Sequence, residues 1–281
     1  MKEAMPSSAM PVNIVVAHPL EAKALIPMFG LQPTQNTSGY VQYNCANGLQ
    51  LIVSGVGRSA VSAAVKFLAK QQANEDNQVR GWVNIGIAGH RNAALGSGWL
   101  ANRITDRAAG TRAYPPQLID GIAACSVVTV DEPELVYPED AVYEMEASAF
   151  YGEASRHSTA ELVQLFKVVS DNLQNPISDL DLKRVPMWIA QQEEQIVSLV
   201  QRLSELVNLH NASHAMPTAY HDLCSQLHLT VSQKLQLKRL CQRYKALGRE
   251  AELGGFVATA VGSKKLIATL VAQIDEPMNT Q

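Results

Sequence analysis

Residues 162–172 read LVQLFKVVSDN, and this stretch constrains the fold more than any other. Leu162, Val163, Leu165, Phe166, Val168 and Val169 make a β-branched-rich apolar run that predicts a buried strand. Ser170, Asp171 and Asn172 follow its carboxyl end, where open α/β sheets place their ligands. Residues 12–17, apolar apart from Asn13, and residues 82–87 predict two more buried strands. A chain with several such runs, separated by helical patterns, belongs to the α/β class.

Residues 141–157 (AVYEMEASAFYGEASRH) predict a helix that feeds the 162–169 strand, with Met145, Ala149 and Phe150 on one stripe and Glu144 on another. Glu146 on that helix and Asp171 at the strand end could share a pocket. The plain alternative is a solvated Glu146 and a turn-forming Asp171. Residues 18–21 (HPLE) turn the chain after the first strand, and a helix begins over 22–28. Glu21 there has an ordinary use as a charge in a first helical turn, worth about 0.3–1 kcal/mol.

The pairing of EMEASA with KVVSDN resembles the signature of the purine nucleoside phosphorylase and nucleosidase superfamily. It is most similar to the methylthioadenosine/S-adenosylhomocysteine nucleosidases and futalosine hydrolases. VNIVVAHPLEAKAL is similar, without a gap, to the opening strand and turn of those nucleosidases. The resemblance implies that Met145 and Glu146 cradle a ribose, that Asp171 protonates the leaving base, and that Glu21 activates water. Gly86, Ile87, Ala88 and Gly89 match a turn that lines the pocket near the sugar, with Glu144 and Ser170 flanking the motif residues. Gly98-Trp99 departs from the family's Gly-Asp. The short segment 131–140 (DEPELVYPED) replaces a longer base-covering one, with Glu132, Pro133 and Tyr137 as candidate base neighbours. The match spans roughly the first three quarters of the chain.

Residues 51–54 predict another strand, followed by Gly55-Val56-Gly57-Arg58-Ser59-Ala60 and a helix through Leu68. This is a G-x-G-x-x-A dinucleotide pattern, with Glu75 and Asp76 near the acidic distance. It does not follow a first strand, and the acidic pair lies in a polar loop. Similarity to the nucleosidase SGIG turn accounts for it better than a nicotinamide site.

Two nucleophiles remain to be separated. The hexameric phosphorylases read PLRAK where this chain reads PLEAK, so Glu21 stands where an Arg holds phosphate, and Asn84 and Ile87 stand where they carry an Arg and a Ser. A desolvated carboxylate there repels a phosphate dianion. Water is therefore the expected nucleophile, and no metal or organic cofactor is required. A phosphorylase using Arg58 or Arg103, and a non-catalytic nucleoside-binding protein, are the competing readings.

A net charge of −3 gives no general polyanion signal. Cys45, Cys125, Cys224 and Cys241 lack metal-like or CxxC spacing, which points to reduced thiols. The opening MKEAMPSSAMPVN lacks a basic region with an apolar core, and no run is long enough to span a bilayer, so a cytoplasmic protein without membrane contact is expected.

After Pro176 and Pro186, residues 187–209 predict the closing helix of the first domain, with Ile196, Val200, Leu203 and Val207 on its apolar face. Residues 210–217 read as a linker, and 223–227 and 232–247 as helices. Lys234, Lys238, Arg239, Arg243, Lys245 and Arg249 make the last one basic, and a solvated face is preferred over nucleic-acid contact. Leu235, Leu240, Tyr244 and Leu247 exceed what two short helices can bury, which predicts packing on the main domain or on another subunit. The expectation is thus an α/β three-layer domain with a central mixed β-sheet at 1–209 and a helical extension at 210–281. Its function is hydrolysis of a purine-type nucleoside, in a homo-oligomer, first of all a dimer.

Overall fold

Val12, Ile14 and Val16 bury on one side of the first strand and Val15 on the other, so both faces of the sheet need cover. The structure, a computed structural model, describes residues 9–35, 39–72, 78–117, 120–260 and 262–274. Glu75 and Asp76 lie outside the described residues, as do residues 1–8. In chain order the elements are β1 (Val12–Val16), α1 (Pro19–Phe29), β2 (Gln32–Pro33), β3 (Val41–Asn44), β4 (Gln50–Val53), α2 (Arg58–Gln71) and β5 (Gly81–His90). Then come β6 (Gly98–Asp106), β7 (Arg112–Ala113), β8 (Ala124–Thr129), β9 (Ala141–Glu144), α3 (Ala147–Ala154) and β10 (Val163–Asp171). Helices α4 (Val185–Ala190), α5 (Glu193–His214), α6 (Thr218–Gln226), α7 (Val231–Ala246), α8 (Leu253–Thr259) and α9 (Ser263–Ile274) complete the chain. It divides into two compact units after Ser213.

The first unit is a mixed sheet between two helical layers. Leu25 of α1, Trp188 and Ile189 of α4 and Ile196, Leu199, Val200 and Leu203 of α5 pack with Val83, Ile85, Phe166 and Val168 on one face. Val61, Val65 and Leu68 of α2 and Phe150 and Ala154 of α3 pack with Trp82, Leu165 and Val169 on the other. The strand order is β10-β6-β8-β9-β5-β1-β4-β3-β2, and β10 also pairs with β5, so five strands close into a ring. β10 runs parallel to β5 from Trp82 to Gly89. On the opposite edge of β5, β1 pairs only from Gly81 to Asn84, and β9 joins antiparallel only at Gly89 and His90. Between them that edge of β5 has no partner strand among the described residues, and the gap opens the sheet at the carboxyl ends of β1 and β10.

Residues 141–144 are strand, where the sequence pattern predicted helix. Val142 and Tyr143 suit a pleated, fully buried position between β8 and β5. The helix starts only at Ala147, because the Glu144 carboxylate accepts the N–H groups of Glu146 and Ala147 and caps it. Glu146 is therefore the residue before α3 rather than inside a helix. The expected 210–217 linker is helical through His214, since no helix breaker precedes Pro217.

Among its described residues the second unit has the four α-helices α6 to α9 and a core of its own: Leu223, Leu237, Cys241, Tyr244, Leu253, Leu266, Leu270 and Ile274. This corrects the two-helix expectation. Helices α8 and α9 supply the missing partners, Tyr244 is buried with its hydroxyl on Leu270 O, and Leu235 and Leu247 are exposed. All four cysteines are free thiols. Among the described residues no helix is long and apolar enough to cross a membrane.

Candidate active site

A cavity of about 230 Å³ opens where the sheet parts, lined by residues from the ends of β1, β5, β9 and β10. Of the residues singled out from sequence, Glu21, Ile87, Ala88, Gly89, Glu144, Met145, Glu146, Ser170 and Asp171 all line it. Gly86 does not. A Cβ at Gly86 would sit 2.9 Å from Glu21 Oε1 and 3.6 Å from Lys167 Nζ, so its bare backbone makes room for those two groups. Glu132 is exposed and off the cavity, whereas Pro133, Glu134 and Tyr137 of the same segment line it.

Glu21 sits at the third position of α1, in a reciprocal capping box with His18. Its Oε2 accepts from the N–H groups of Ala17 and His18, both at 2.8 Å. Its Oε1 accepts from Ile87 N at 2.9 Å, on the edge of β5 that faces away from β10. Among the described residues Oε1 accepts no second hydrogen bond, and Glu21 lines the cavity. Burial pushes this carboxyl above the ordinary glutamate range, while Ile87, His18, Lys167 and Ala17 pull it back only partly.

Beside it is a buried cluster that the sequence reading missed. Lys167 of β10 is buried and donates to Asn84 Oδ1 at 2.6 Å and Glu144 Oε2 at 2.9 Å. Burial pulls its ammonium down, but Glu144, Glu146 and Glu21 outweigh that and leave it above the usual lysine value. Glu144 lies in the cavity wall, yet its oxygens are taken by Lys167, Thr129 Oγ1 and two backbone N–H groups. It braces the site more than it faces a ligand. Glu146 accepts Gly57 N at 2.6 Å on Oε1, and its Oε2 has no partner among the described residues. Burial first, and then the charge of Glu144, push it up to about 7. The glycine turn that resembled a dinucleotide site thus spends its N–H on a carboxylate.

Asp171 ends β10, buried at 3% exposure. Ser170 Oγ donates to its Oδ1 at 2.6 Å, and the Tyr137 hydroxyl donates to its Oδ2. Gly89 makes this possible, because a Cβ there would overlap Asp171 Oδ2 and lie 2.6 Å from the Tyr137 ring. Where the resembled family carries an acid after Gly98, Trp99 stacks on His90 with ring centroids 6.3 Å apart.

Neither arginine offered for a phosphate site lines the cavity. Arg58 is bound by Asp106, Asp131 and Thr129 O, and Arg103 reaches towards Glu139. Among the described residues no Lys or Arg lines the cavity, and no group of three His, Cys, Asp or Glu side chains could hold a metal ion.

No protein-family model matches the sequence, and no curated protein matches it. Solved structures do. The apo 5′-methylthioadenosine nucleosidase of Arabidopsis thaliana is similar with a TM-score of 0.56 at 17% identity, covering 71% of this chain and 97% of that one. The 5′-methylthioadenosine/S-adenosylhomocysteine nucleosidase of Colwellia psychrerythraea, in complex with adenine, gives 0.52 at 19% identity, with 70% and 96% covered. That of Chlamydia trachomatis, bound to MTA, gives 0.52 at 18%, with 67% and 98% covered. This chain therefore has the α/β fold of those solved 5′-methylthioadenosine nucleosidase structures.

Proposed function

We propose that this protein is a nucleosidase that hydrolyses the N-glycosidic bond of a purine-type nucleoside. The observation that carries the reading is the meeting of Glu21, Glu146 and Asp171, from three distant parts of the chain, around one cavity that no Lys or Arg among the described residues lines. Cleavage through an oxocarbenium-like sugar needs an acid for the departing base and a base for water on the other side. Asp171 serves as the acid and Glu21 as the base, through Oε1. Glu146 accepts the ribose hydroxyls on Oε2, and Met145 packs against the sugar. The solved nucleosidases bound to adenine and to MTA support a nucleoside as the ligand class.

In phosphate-free buffer, purine nucleosides should yield free base and free ribose, quantified by chromatography. Strict dependence on added phosphate would replace this reading with the phosphorylase. A homodimer in the cytoplasm belongs to the same proposal. Val56 and Leu182 leave apolar surface at the cavity mouth that a second copy would cover, and light scattering of the full chain tests it.

Glu146 gives a pH signature. The ionised carboxylate is the better acceptor for a diol, and it prevails above about pH 7. KM should therefore rise as pH falls through about 7, and Glu146→Gln should flatten that rise. The same substitution should cost about 1.5–3 kcal/mol in kcat/KM, less for a 2′-deoxynucleoside, which already lacks one contact. Equal losses on ribo- and deoxyribonucleosides would remove Glu146 from sugar binding.

A further inference from the structure

The segment between β8 and β9 is tied down over the cavity along its length. Arg58 holds Asp131, Arg107 holds Glu134, Arg91 Nε donates to Tyr137 O at 2.8 Å and Arg91 Nη2 to Pro138 O at 2.5 Å. Tyr143 Oη accepts Glu139 N at 2.9 Å, and His90 Nε2 lies 3.3 Å from Asp140. Leu135 and Val136 nevertheless face solvent, while Tyr137 between them and β9 is only 2% exposed. Tyr137 also has a left-handed backbone, with φ of 48°, the one non-glycine residue with positive φ among those described. Such a conformation is strained for a residue with a Cβ and persists where the surroundings impose it. Here they drive one phenol inward, edge-on to Tyr143 with centroids 5.6 Å apart, against Gly89 and onto Asp171.

The hydroxyl lands on one particular oxygen. Ser170 Oγ donates to Oδ1, since its other acceptor, Ala88 O, is 3.4 Å away and competes poorly. When Asp171 carries a proton, that proton therefore sits on Oδ2, where its neighbour is the Tyr137 oxygen. A phenol oxygen accepts as well as donates. Once it accepts from Oδ2, its own O–H is released, and among the described residues the hydroxyl makes no second hydrogen bond. Both side chains line the cavity, so the released O–H has the cavity to turn to.

We propose, resting on the nucleosidase reading, that Tyr137 delivers the proton to the leaving base and that Asp171 acts through it. As the C1′–N bond breaks, its electron pair goes to the base. A base nitrogen takes the Tyr137 hydroxyl proton while the Tyr137 oxygen takes the proton of Asp171 Oδ2. Water adds hydroxide to C1′ and gives its second proton to Glu21. Asp171 ends as a carboxylate, Tyr137 is unchanged, and exchange with solvent resets both carboxyls. Burial, and then the hydrogen bond to Asp171, raise the phenol above its ordinary pKa, so it stays protonated between turnovers.

The test compares the full-length protein with Tyr137→Phe, Asp171→Asn and the double variant on a purine nucleoside and its 7-methylated analogue. The methylated base already carries the positive charge and leaves without a proton. Tyr137→Phe keeps the ring on Gly89 and Tyr143 and removes only the hydroxyl. Its kcat on the unmethylated nucleoside should fall about 10²-fold or more, within the usual share of acid catalysis, with KM little changed. On the methylated analogue it should stay near wild type, and the double variant should be no slower than Asp171→Asn alone. Full turnover by Tyr137→Phe on the unmethylated nucleoside would mean that Asp171 delivers the proton directly. Equal loss on both substrates would make Tyr137 a packing residue. If wild type cleaves neither substrate, the nucleosidase reading itself falls, which none of the variant results can mimic.

Discussion

Asp171→Asn should lower kcat about 10²–10⁴-fold on an unactivated purine nucleoside, the span that general acid catalysis ordinarily contributes. The structure makes this a clean substitution. Asp171 touches two hydroxyls, Ser170 on Oδ1 and Tyr137 on Oδ2. The amide oxygen of an Asn can accept from Ser170, and its NH₂ can donate to the lone pairs of Tyr137. Size, position and both contacts survive, and what disappears is the proton that can be given away. KM should therefore change little, and the 7-methylated analogue should be cleaved at close to the wild-type rate. Steady-state kinetics on the two substrates decide it. Near-normal turnover of the unmethylated nucleoside by Asp171→Asn would leave the acid unassigned.

The strands that carry this site were legible because their residues obey a simple rule. Runs such as Val12–Val16 and Val163–Asp171 carry apolar residues on both faces, and only a sheet covered on both sides can accept that. β9 was illegible for the opposite reason. Its four residues, Ala141 to Glu144, are too few to show a period, and the small residues of α3 that follow made the whole stretch read as helix. What decides the matter is non-local, namely pairing with β8 and the end of β5. The extension failed similarly. Its apolar residues were counted against two helices, and the partners that bury Tyr244 stand on α8 and α9.

The carboxylates were found through a resemblance, and the groups that tune them were not. Lys167 did leave a signal, as a lone cation inside an otherwise apolar strand. A fully buried lysine must be paired, so it foretells carboxylates nearby. Tyr137 is legible as a candidate base neighbour in the short 131–140 segment, and it does line the cavity, but its contact with Asp171 left no signal. Its inward turn depends on a left-handed backbone, on the grip of Arg91 and on the missing Cβ of Gly89, three facts from separate regions.

Glu21→Gln should be the other large loss, and it should fail differently from Asp171→Asn. Glu21 meets three backbone donors and no hydroxyl. An amide NH₂ has to replace one carboxylate oxygen, and the lesser conflict places it at Oε1, against the N–H of Ile87. That N–H lies on the edge of β5 away from β10 and donates to Glu21, so it is left without an acceptor, at a cost of about 1–3 kcal/mol. The variant should therefore unfold at lower temperature than wild type, whereas Asp171→Asn should not. Its kcat should also fall, by about 10²–10⁴-fold if water needs a general base, and the 7-methylated analogue should not rescue it, because a charged leaving base still needs an activated nucleophile. The pH profile carries the same sign. Burial raises the Glu21 carboxyl, so the wild-type acid limb should lie at higher pH than an ordinary glutamate would give, with activity rising as Glu21 loses its proton. Glu21→Gln should change that limb along with the rate. A stable Glu21→Gln enzyme with normal turnover and an unmoved acid limb would show that water is activated elsewhere, and Lys167 with Asn84 would then be the groups left beside it.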